Sequence, residues 1–418
     1  MRRIVVLACL LFFTPQIVCA QGKEDTQERL KALEEKVREL EAEIQTLKAA
    51  QAGAPTAPAP APAPPAVTPP SEVQAPAGAP GTRSGPLPVY GGAASMAKVL
   101  NPDVSVIGDF LGAAGRNAVR PVPSLEMHES EVGFQAIVDP YARADFFLTF
   151  GEEGVGLEEG YLTFSSLPGG FVAKVGKMRS SFGVVNTLHN HVLPWTDRPL
   201  VTENLVGGED GISDAGASLS RILPAPKGIF LEATGQVFRG DSSDVFKASH
   251  RGDVSLVGRL RGYHDLTGST NLDLGVSYAR GHNELGSAFV TQLYGVDATL
   301  RWKPLRRAIY HSFLTRTELV WSRREQLSAV PTAFGMYTSA EYRLNRRWTV
   351  GGRYDRSGRA TNESLTDTGF SALLTYWPSE FSQLRGQYRF VRYAEGREGD
   401  ELRFQLLFSL GAHGAHPF

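Results

Sequence analysis

From residue 103 to 410 the chain repeats segments of about ten residues in which apolar and polar side chains alternate. Successive side chains of a β-strand point to opposite faces, so each segment predicts a strand with one apolar and one polar face. We count about sixteen such segments, an even number as in single-chain bacterial barrels. Residues 401–410 show the pattern most clearly, with one face made of Leu402, Phe404, Leu406, Phe408 and Leu410.

A soluble β-sandwich would also alternate, so the alternation alone does not identify a membrane protein. The polar faces here carry many charges, and aromatic residues stand near the ends of several strands, which suits the interfacial girdles of membrane barrels. These aromatics are Trp302, Trp321, Trp348 and Trp377. The sequence therefore predicts an all-β fold, a transmembrane antiparallel β-barrel of about 16 strands that occupies residues 103–418.

The connections between strands alternate in kind along the chain. Every second one is a tight turn, as expected at the periplasmic end of such a barrel, and the intervening ones are predicted to be longer, for example 112–124, 239–252 and 356–364. The longest, residues 178–211 after the fifth strand, contains Phe182 and Trp195 and is not of low complexity. Because long loops are usually functional or disordered, we expect it to pack inside the barrel as a constriction loop.

The N-terminal hundred residues have a different character. Residues 1–20 predict a secretory signal peptide, with basic residues followed by an apolar run and Val18-Cys19-Ala20 before the cleavage point. Lipidation at Cys19 is the alternative. Both cysteines, Cys9 and Cys19, lie in this removable segment, so the mature chain needs no disulfide.

Residues 23–49 predict a helix with a heptad repeat, in which Leu30, Val37 and Ile44 alternate with Leu33, Leu40 and Leu47. Such a seam indicates self-association as a parallel coiled-coil stalk, which we place in the periplasm. The β-branched residues at the first heptad position, Val37 and Ile44, favour dimers. The sequence does not decide between a dimer and a trimer. Residues 50–88 are rich in alanine and proline and predict an extended linker, and 89–102 form a lead-in segment.

The strand and loop pattern, with the segment Val175-Gly-Lys-Met-Arg-Ser-Ser-Phe-Gly183, resembles bacterial outer-membrane porins, and within them the phosphate-selective porin-like group. The resemblance covers about residues 100–410 and implies homotrimers that let small solutes diffuse, in some cases with a preference for anions. In the usual porin pattern a terminal aromatic residue closes the last strand. This chain departs from that pattern, because residues 411–417 stand between the last predicted strand, which ends at Leu410, and the terminal Phe418.

The predicted inner face carries more basic than acidic side chains. Rings of arginine or lysine favour anions in a pore, although the same residues could instead pair with neighbouring acids and set the register of the strands. Our candidates for pore-lining or solute contacts are Lys174, Lys177, Arg179, Arg198, Arg259, Arg261, Arg301, Arg316, Arg353, Arg385, Arg389, Asp197 and Glu203.

His189 and His191 in the long loop are weak candidates for a metal site, because two histidines with nearby carboxylates can bind zinc, but an ordered loop can also hydrogen-bond histidines to its own backbone. No resident cofactor is expected. The chain has no GxSxG, P-loop or HExxH motif, so we do not expect an enzyme.

The sequence thus predicts a porin of the outer membrane that contacts lipid and passes small anionic or neutral solutes. Two alternatives remain: a receptor barrel that takes up metals or metal chelates, and a structural tether of the outer membrane. The nearly neutral formal charge of −1 gives no indication of nucleic acid as a partner.

Overall fold

A computed structural model describes residues 102–151 and 154–411, together with Lys36 and Arg38. The chain divides into two compact units, Met1–Gly78 and Ala79–Phe418. Lys36 and Arg38 are helical. The signal peptide, the remainder of the predicted stalk, the linker, the lead-in up to residue 101 and Phe418 lie outside the described residues. No helix in the described part of the chain is long and apolar enough to cross a membrane.

The described residues of the second unit form sixteen strands. In chain order these are β1 (Asp103–Asn117), β2 (Leu125–Asp139), β3 (Ala142–Gly151), β4 (Gly154–Leu167), β5 (Phe171–Arg179), β6 (Ser213–Leu223), β7 (Ile229–Phe238), β8 (Ser255–Thr267), β9 (Thr270–Asn283), β10 (Gly286–Trp302), β11 (Ser312–Arg324), β12 (Thr332–Arg343), β13 (Trp348–Arg359), β14 (Asn362–Ser379), β15 (Ser382–Arg392) and β16 (Glu398–Gly411).

The strands close into one antiparallel barrel in which each pairs with its neighbours in sequence. The first and last strands seal the cylinder through a continuous register that includes Val106 opposite Leu410. Closure removes the unpaired edges that an open sheet would expose. The all-β fold and the number of strands predicted from the sequence are confirmed.

Burial along the strands shows which face is which. On β16, Leu402 and Leu410 are each 60% exposed on the outer surface, whereas Gln405 between them is 2% exposed inside. A barrel with apolar side chains outside and polar ones inside inverts the arrangement of a soluble protein. The outer surface suits lipid, and the interior suits water and charged groups.

The connections predicted to be tight turns, those from even- to odd-numbered strands, all lie at one end of the barrel, which we call the turn end; six of them have two to five residues, whereas 303–311 between β10 and β11 is longer. The opposite, loop end corrects a prediction. The connections after β1 and β13 comprise only 118–124 and 360–361, so about half of the predicted loop 112–124 and most of the predicted loop 356–364 are strand, whereas residues 239–254 do form a longer connection. The flanking strands extend further at this end because the hairpins continue to pair.

The connection between β5 and β6, residues 180–212, enters the barrel; we call it the inserted segment. It contains two short 3₁₀ turns, Val185–Thr187 and Asn190–Val192, and a π-helical turn, Thr202–Val206. Its apolar side chains pack on residues of the inner wall from β7 to β14 and form the main hydrophobic core of the described residues. This core includes Phe182, Val185, Trp195, Val201, Leu205, Leu293, Val320 and Tyr337.

Candidate functional site

The inserted segment is fastened to the barrel wall by hydrogen bonds from its backbone. Glu318 on β11 accepts from the amides of Val184 and Val185, at 2.7 and 2.8 Å. Towards the last strands, Gln387 Oε1 accepts from the Thr196 amide at 2.9 Å and Asp355 accepts from the Leu200 amide at 3.2 Å. Polar wall residues thus satisfy backbone groups that would otherwise be buried without partners.

Asp197 is the electrostatic anchor of the segment. Its carboxylate lies 2.8 Å from Arg353 on β13 and 3.0 Å from Arg389 on β15. Burial alone would raise the pKa of Asp197, but the guanidinium groups of Arg353 and Arg389 hold it well below its ordinary value. Asp197 therefore stays ionised and fixes the segment across two strands.

Much of the basic inner wall is neutralised by carboxylates. Arg259 on β8 makes a bidentate pair with Asp297 on β10, at 2.7 and 2.8 Å, across the intervening strand. The others among the predicted site residues are Arg261 with Asp273, Arg316 with Glu341, Arg389 with Glu401, Arg353 with Asp355, and Arg179 with Glu158. For these arginines, pairing within the wall is the arrangement that the structure shows.

Two cavities lie inside the barrel, one towards each end. The turn-end cavity has a volume of about 190 Å³ and is lined by Arg301, Lys303, Glu341, Arg343 and Arg385 among others. The loop-end cavity, about 210 Å³, is lined by residues that include Asp109, Arg120, His128, Glu203, Glu209 and Arg403. Residues 190–194 of the inserted segment contribute to both linings, so this short stretch stands between the two spaces.

Basic residues outnumber acidic ones in the lining of the turn-end cavity, which includes Arg301, Lys303, Arg316, Arg343 and Arg385 against Glu341 and Glu380. Arg301 donates to Asn271 Oδ1 at 3.3 Å, and Arg385 donates to the Leu193 carbonyl at 2.9 Å and to Gln405 Oε1 at 2.7 Å. Lys303 lies in the turn after β10, where burial and then Arg301 and Arg343 lower its pKa. Mutual repulsion of this kind marks a group of cations that could attract an anion.

A second cluster joins the inserted segment to β2 and β4. His189 lies with Nδ1 2.6 Å from Glu131 Oε2 and Nε2 2.8 Å from Glu159 Oε2. Burial alone would lower the pKa of His189, but these hydrogen bonds raise it to about 10. His191 Nδ1 lies 3.8 Å from the same oxygen of Glu131. The ligand atoms of Glu131, His189 and His191 lie within 4.8 Å of one another, an arrangement that could hold a metal ion.

Three other predicted site residues have roles in packing. Arg198 donates to Asn190 and to the carbonyls of Val185 and Leu188, all within the inserted segment. Glu203 pairs with Arg120 at 3.0 Å. Lys174 lies 4.4 Å from the centre of the Tyr161 ring. Arg198 and Glu203 line the loop-end cavity as well.

Lys177 corrects the predicted pore lining. It is in register with Gly160 and Ala215, and it is two residues from Val175, which is 53% exposed on the outer face. Its ammonium group donates to the Leu157 carbonyl at 2.5 Å. Lys177 therefore belongs to the outer face of β5 and not to the constriction loop, where it was expected to contact solutes.

Sequence reasoning missed Lys303, Asp109 and the glutamates around His189. Lys303 is in a turn, where alternation gives no information. Asp109 lies on β1 beside a break in the register, and it accepts from Gln405 at 2.9 Å. Glu129 and Glu131 alternate on β2, so their common orientation was detectable, but nothing local connects them to a loop some 60 residues later.

Solved structures of outer-membrane porins share this architecture. The anion-selective porin from Comamonas acidovorans superposes with a TM-score of 0.53 at 12% sequence identity, covering 74% of this chain and 99% of that one. The fold is that of the outer-membrane porins. OmpF of Salmonella typhi (TM-score 0.52, 8% identity) and OprB of Pseudomonas putida (0.51, 7%) also cover 74% of the chain, and 98% and 94% of their own lengths.

Sequence comparison adds one relative with the same extent. An uncharacterized protein of Aquifex aeolicus (strain VF5) is 28% identical over 387 residues, which is 77% of this chain and 81% of that protein. No family model matches the chain. The porin fold thus rests on the architecture and on its structural neighbours.

Proposed function

We propose that this protein is an outer-membrane porin through which small hydrophilic solutes diffuse, with a weak preference for anions. The barrel supplies an apolar outer face and two internal cavities, and the inserted segment stands between them as a constriction. The observation that carries the anion preference is the group of Arg301, Lys303, Arg343 and Arg385 around the turn-end cavity. The phosphate-selective resemblance agrees with this preference.

The proposed assembly is a homotrimer held in the outer membrane, with the coiled coil of residues 23–49 as a periplasmic stalk. The support is the heptad pattern, the helical Lys36 and Arg38 and the resemblance to trimeric porins. A stalk separated by an extended linker can associate without constraining the barrel.

Reversal potentials across a salt gradient in a planar bilayer test the selectivity. We expect a modest anion preference for the native protein, and a shift towards no preference when Arg301, Lys303 and Arg343 are all replaced by glutamine. Arg221→Gln is the matched control, because this arginine lies against the Phe171 ring on β5 and does not line the cavity. A cation preference of the native channel would contradict the proposal.

A further inference from the structure

Four ligand atoms from three parts of the barrel converge beside the inserted segment. His189 Nδ1 lies 2.6 Å from Glu131 Oε2 and 3.4 Å from Glu158 Oε2. His191 Nδ1 lies 3.8 Å from Glu131 Oε2. The group therefore offers two imidazole nitrogens and two carboxylate oxygens, from β2, β4 and the inserted segment.

The carboxylates of this cluster are buried, so nearby positive charge is needed to stabilise them. The side chains of Glu131 and Glu158 are only 3% and 8% exposed, and Glu159 is 12% exposed. Arg179 pairs with Glu158 Oε1 at 2.6 Å, but Glu158 Oε2 is buried and accepts no hydrogen bond from the described residues. Buried carboxylates are costly unless cations compensate them.

We propose that Glu131, Glu158, His189 and His191 bind a divalent transition-metal ion of the zinc class. A mixture of imidazole and carboxylate ligands is typical of zinc, whereas calcium and magnesium prefer oxygen alone. Tetrahedral zinc with bonds of about 2.0–2.2 Å requires ligand atoms about 3.3–3.6 Å apart. Three observed separations, 2.6, 3.4 and 3.8 Å, lie near that spacing. The ligand atoms of Glu131, His189 and His191 lie within 4.8 Å of one another, and Glu158 Oε2, which is 3.4 Å from His189 Nδ1, would have to move towards them to act as the fourth ligand.

The surroundings orient the ligands as known zinc sites do. A histidine that binds a metal through one nitrogen usually donates from the other to a carboxylate, which fixes its tautomer. Glu159 occupies that position, 2.8 Å from His189 Nε2, and its other oxygen accepts from the Arg179 amide at 2.6 Å. The guanidinium group of Arg179 donates to Glu158 Oε1 at 2.6 Å and so orients Glu158 as well.

A metal at this position would tie the inserted segment to β2 and β4, next to residues 190–194 that border both cavities. It would therefore fix the stretch that we propose as the constriction. This inference goes beyond solute diffusion, because the protein could conduct with or without the metal.

The test uses the full mature protein in detergent, purified without a histidine tag and stripped of metal with a chelator. We expect about one Zn²⁺ per chain by titration against a chromophoric competitor, and the visible absorption of tetrahedral Co²⁺ when cobalt is the probe. His189→Ala and His191→Ala should each weaken Zn²⁺ binding by at least about tenfold. His250→Ala is the matched control, since this exposed histidine lies 3.2 Å from Asp253 outside the cluster and should leave the affinity unchanged.

Glu158→Gln gives a second test that preserves side-chain volume. Its folding, and that of the histidine variants, is checked by the heat-dependent shift of the barrel on gel electrophoresis, and it should weaken Zn²⁺ binding in the same direction. The proposal is overturned if the native protein binds no Zn²⁺, if it binds Ca²⁺ as tightly, or if the folded variants bind Zn²⁺ like the native protein. Conductance of metal-free protein tests the porin function separately.

Discussion

At the scale of single residues, glycines determine which side chains can meet inside the barrel. Gly275 on β9 lies beneath the pair formed by Arg259 and Asp297, and a Cβ there would lie 2.4 Å from both. Gly335 on β12 similarly makes room for Val201 of the inserted segment, which a Cβ would meet at 2.7 Å. At both positions the lack of a side chain leaves the space that a neighbouring side chain occupies.

Gly275→Ala should lower the stability of the barrel, because the methyl group displaces a buried, bidentate ion pair. We expect a loss of about 1–3 kcal/mol in the free energy of unfolding, as for other overpacked sites. The measurement is the temperature at which the folded band disappears on gel electrophoresis. Gly258→Ala, where a Cβ meets nothing within 4 Å, is the control, and equal midpoints for both variants would contradict this prediction.

Residue types and alternation predicted most of the charged inner wall but not its partners. Arg259 and Arg353 were placed inside from the period of two alone. Lys177 was misplaced because it was counted with the long loop, whereas β5 continues to Arg179. The ligand cluster needed Glu158 and Glu159, which are adjacent in sequence and break the alternation at an irregularity between β3 and β4.

At the scale of elements, the inserted segment depends on a few wall residues that receive its backbone amides. Glu318 accepts two of them and is 5% exposed. A buried hydrogen bond typically contributes about 0.5–1.5 kcal/mol to stability. The first part of the segment is held by side chains of three strands, since Gln236 on β7 and Ser277 on β9 accept from the amides of Ser181 and Gly183.

Glu318→Ala should loosen this part of the segment and increase the conductance or the noise of single channels, because two buried amides lose their acceptor. Planar-bilayer recording measures both quantities. Glu232→Ala is the control, since Glu232 lies on β7, is 30% exposed and is 3.9 Å from Arg261. Identical single-channel records from native protein and Glu318→Ala would show that the anchor has no part in the channel.

Local patterns were sufficient for the strands and for the position of the long connection after β5. They were not sufficient for its path, because the anchors join residues far apart in sequence: Val184 and Glu318 are separated by 134 residues. The lengths of the loop-end connections were also overestimated, since polar residues such as Arg359 and Asn362 belong to paired strands. The point at which the hydrogen-bonded pairing of two strands ends depends on the closed barrel and cannot be read from local sequence.

At the scale of the whole molecule, the sixteen described strands close the barrel among themselves. β1 begins at Asp103, and the register between β1 and β16 is continuous over the described strands. We therefore expect the predicted stalk and linker to be separable from the conducting part of the proposed porin.

Deleting residues 21–88 should leave single-channel conductance unchanged, because the cavities are lined by residues of the barrel and inserted segment. Recording of the refolded, truncated protein checks this, and chemical cross-linking shows whether the assembly loosens. Leu40→Asp in the full chain is the companion variant, which disturbs the heptad seam alone. A changed conductance after truncation would mean that the N-terminal region contributes to the pore.

The main apolar core of the inserted segment lies against the wall from β7 to β14, and the loop-end cavity is bounded by residues of β1, β2, β15 and β16 together with residues of the segment itself. The route that we propose for solutes thus borders the seam at which β1 and β16 join. Arg403 and Gln405 belong to β16, the strand that closes the barrel, and they also line this cavity. A substitution at either residue would affect both the assembly of the barrel and the proposed transport. We therefore expect the final strand to tolerate less variation than the opposite wall.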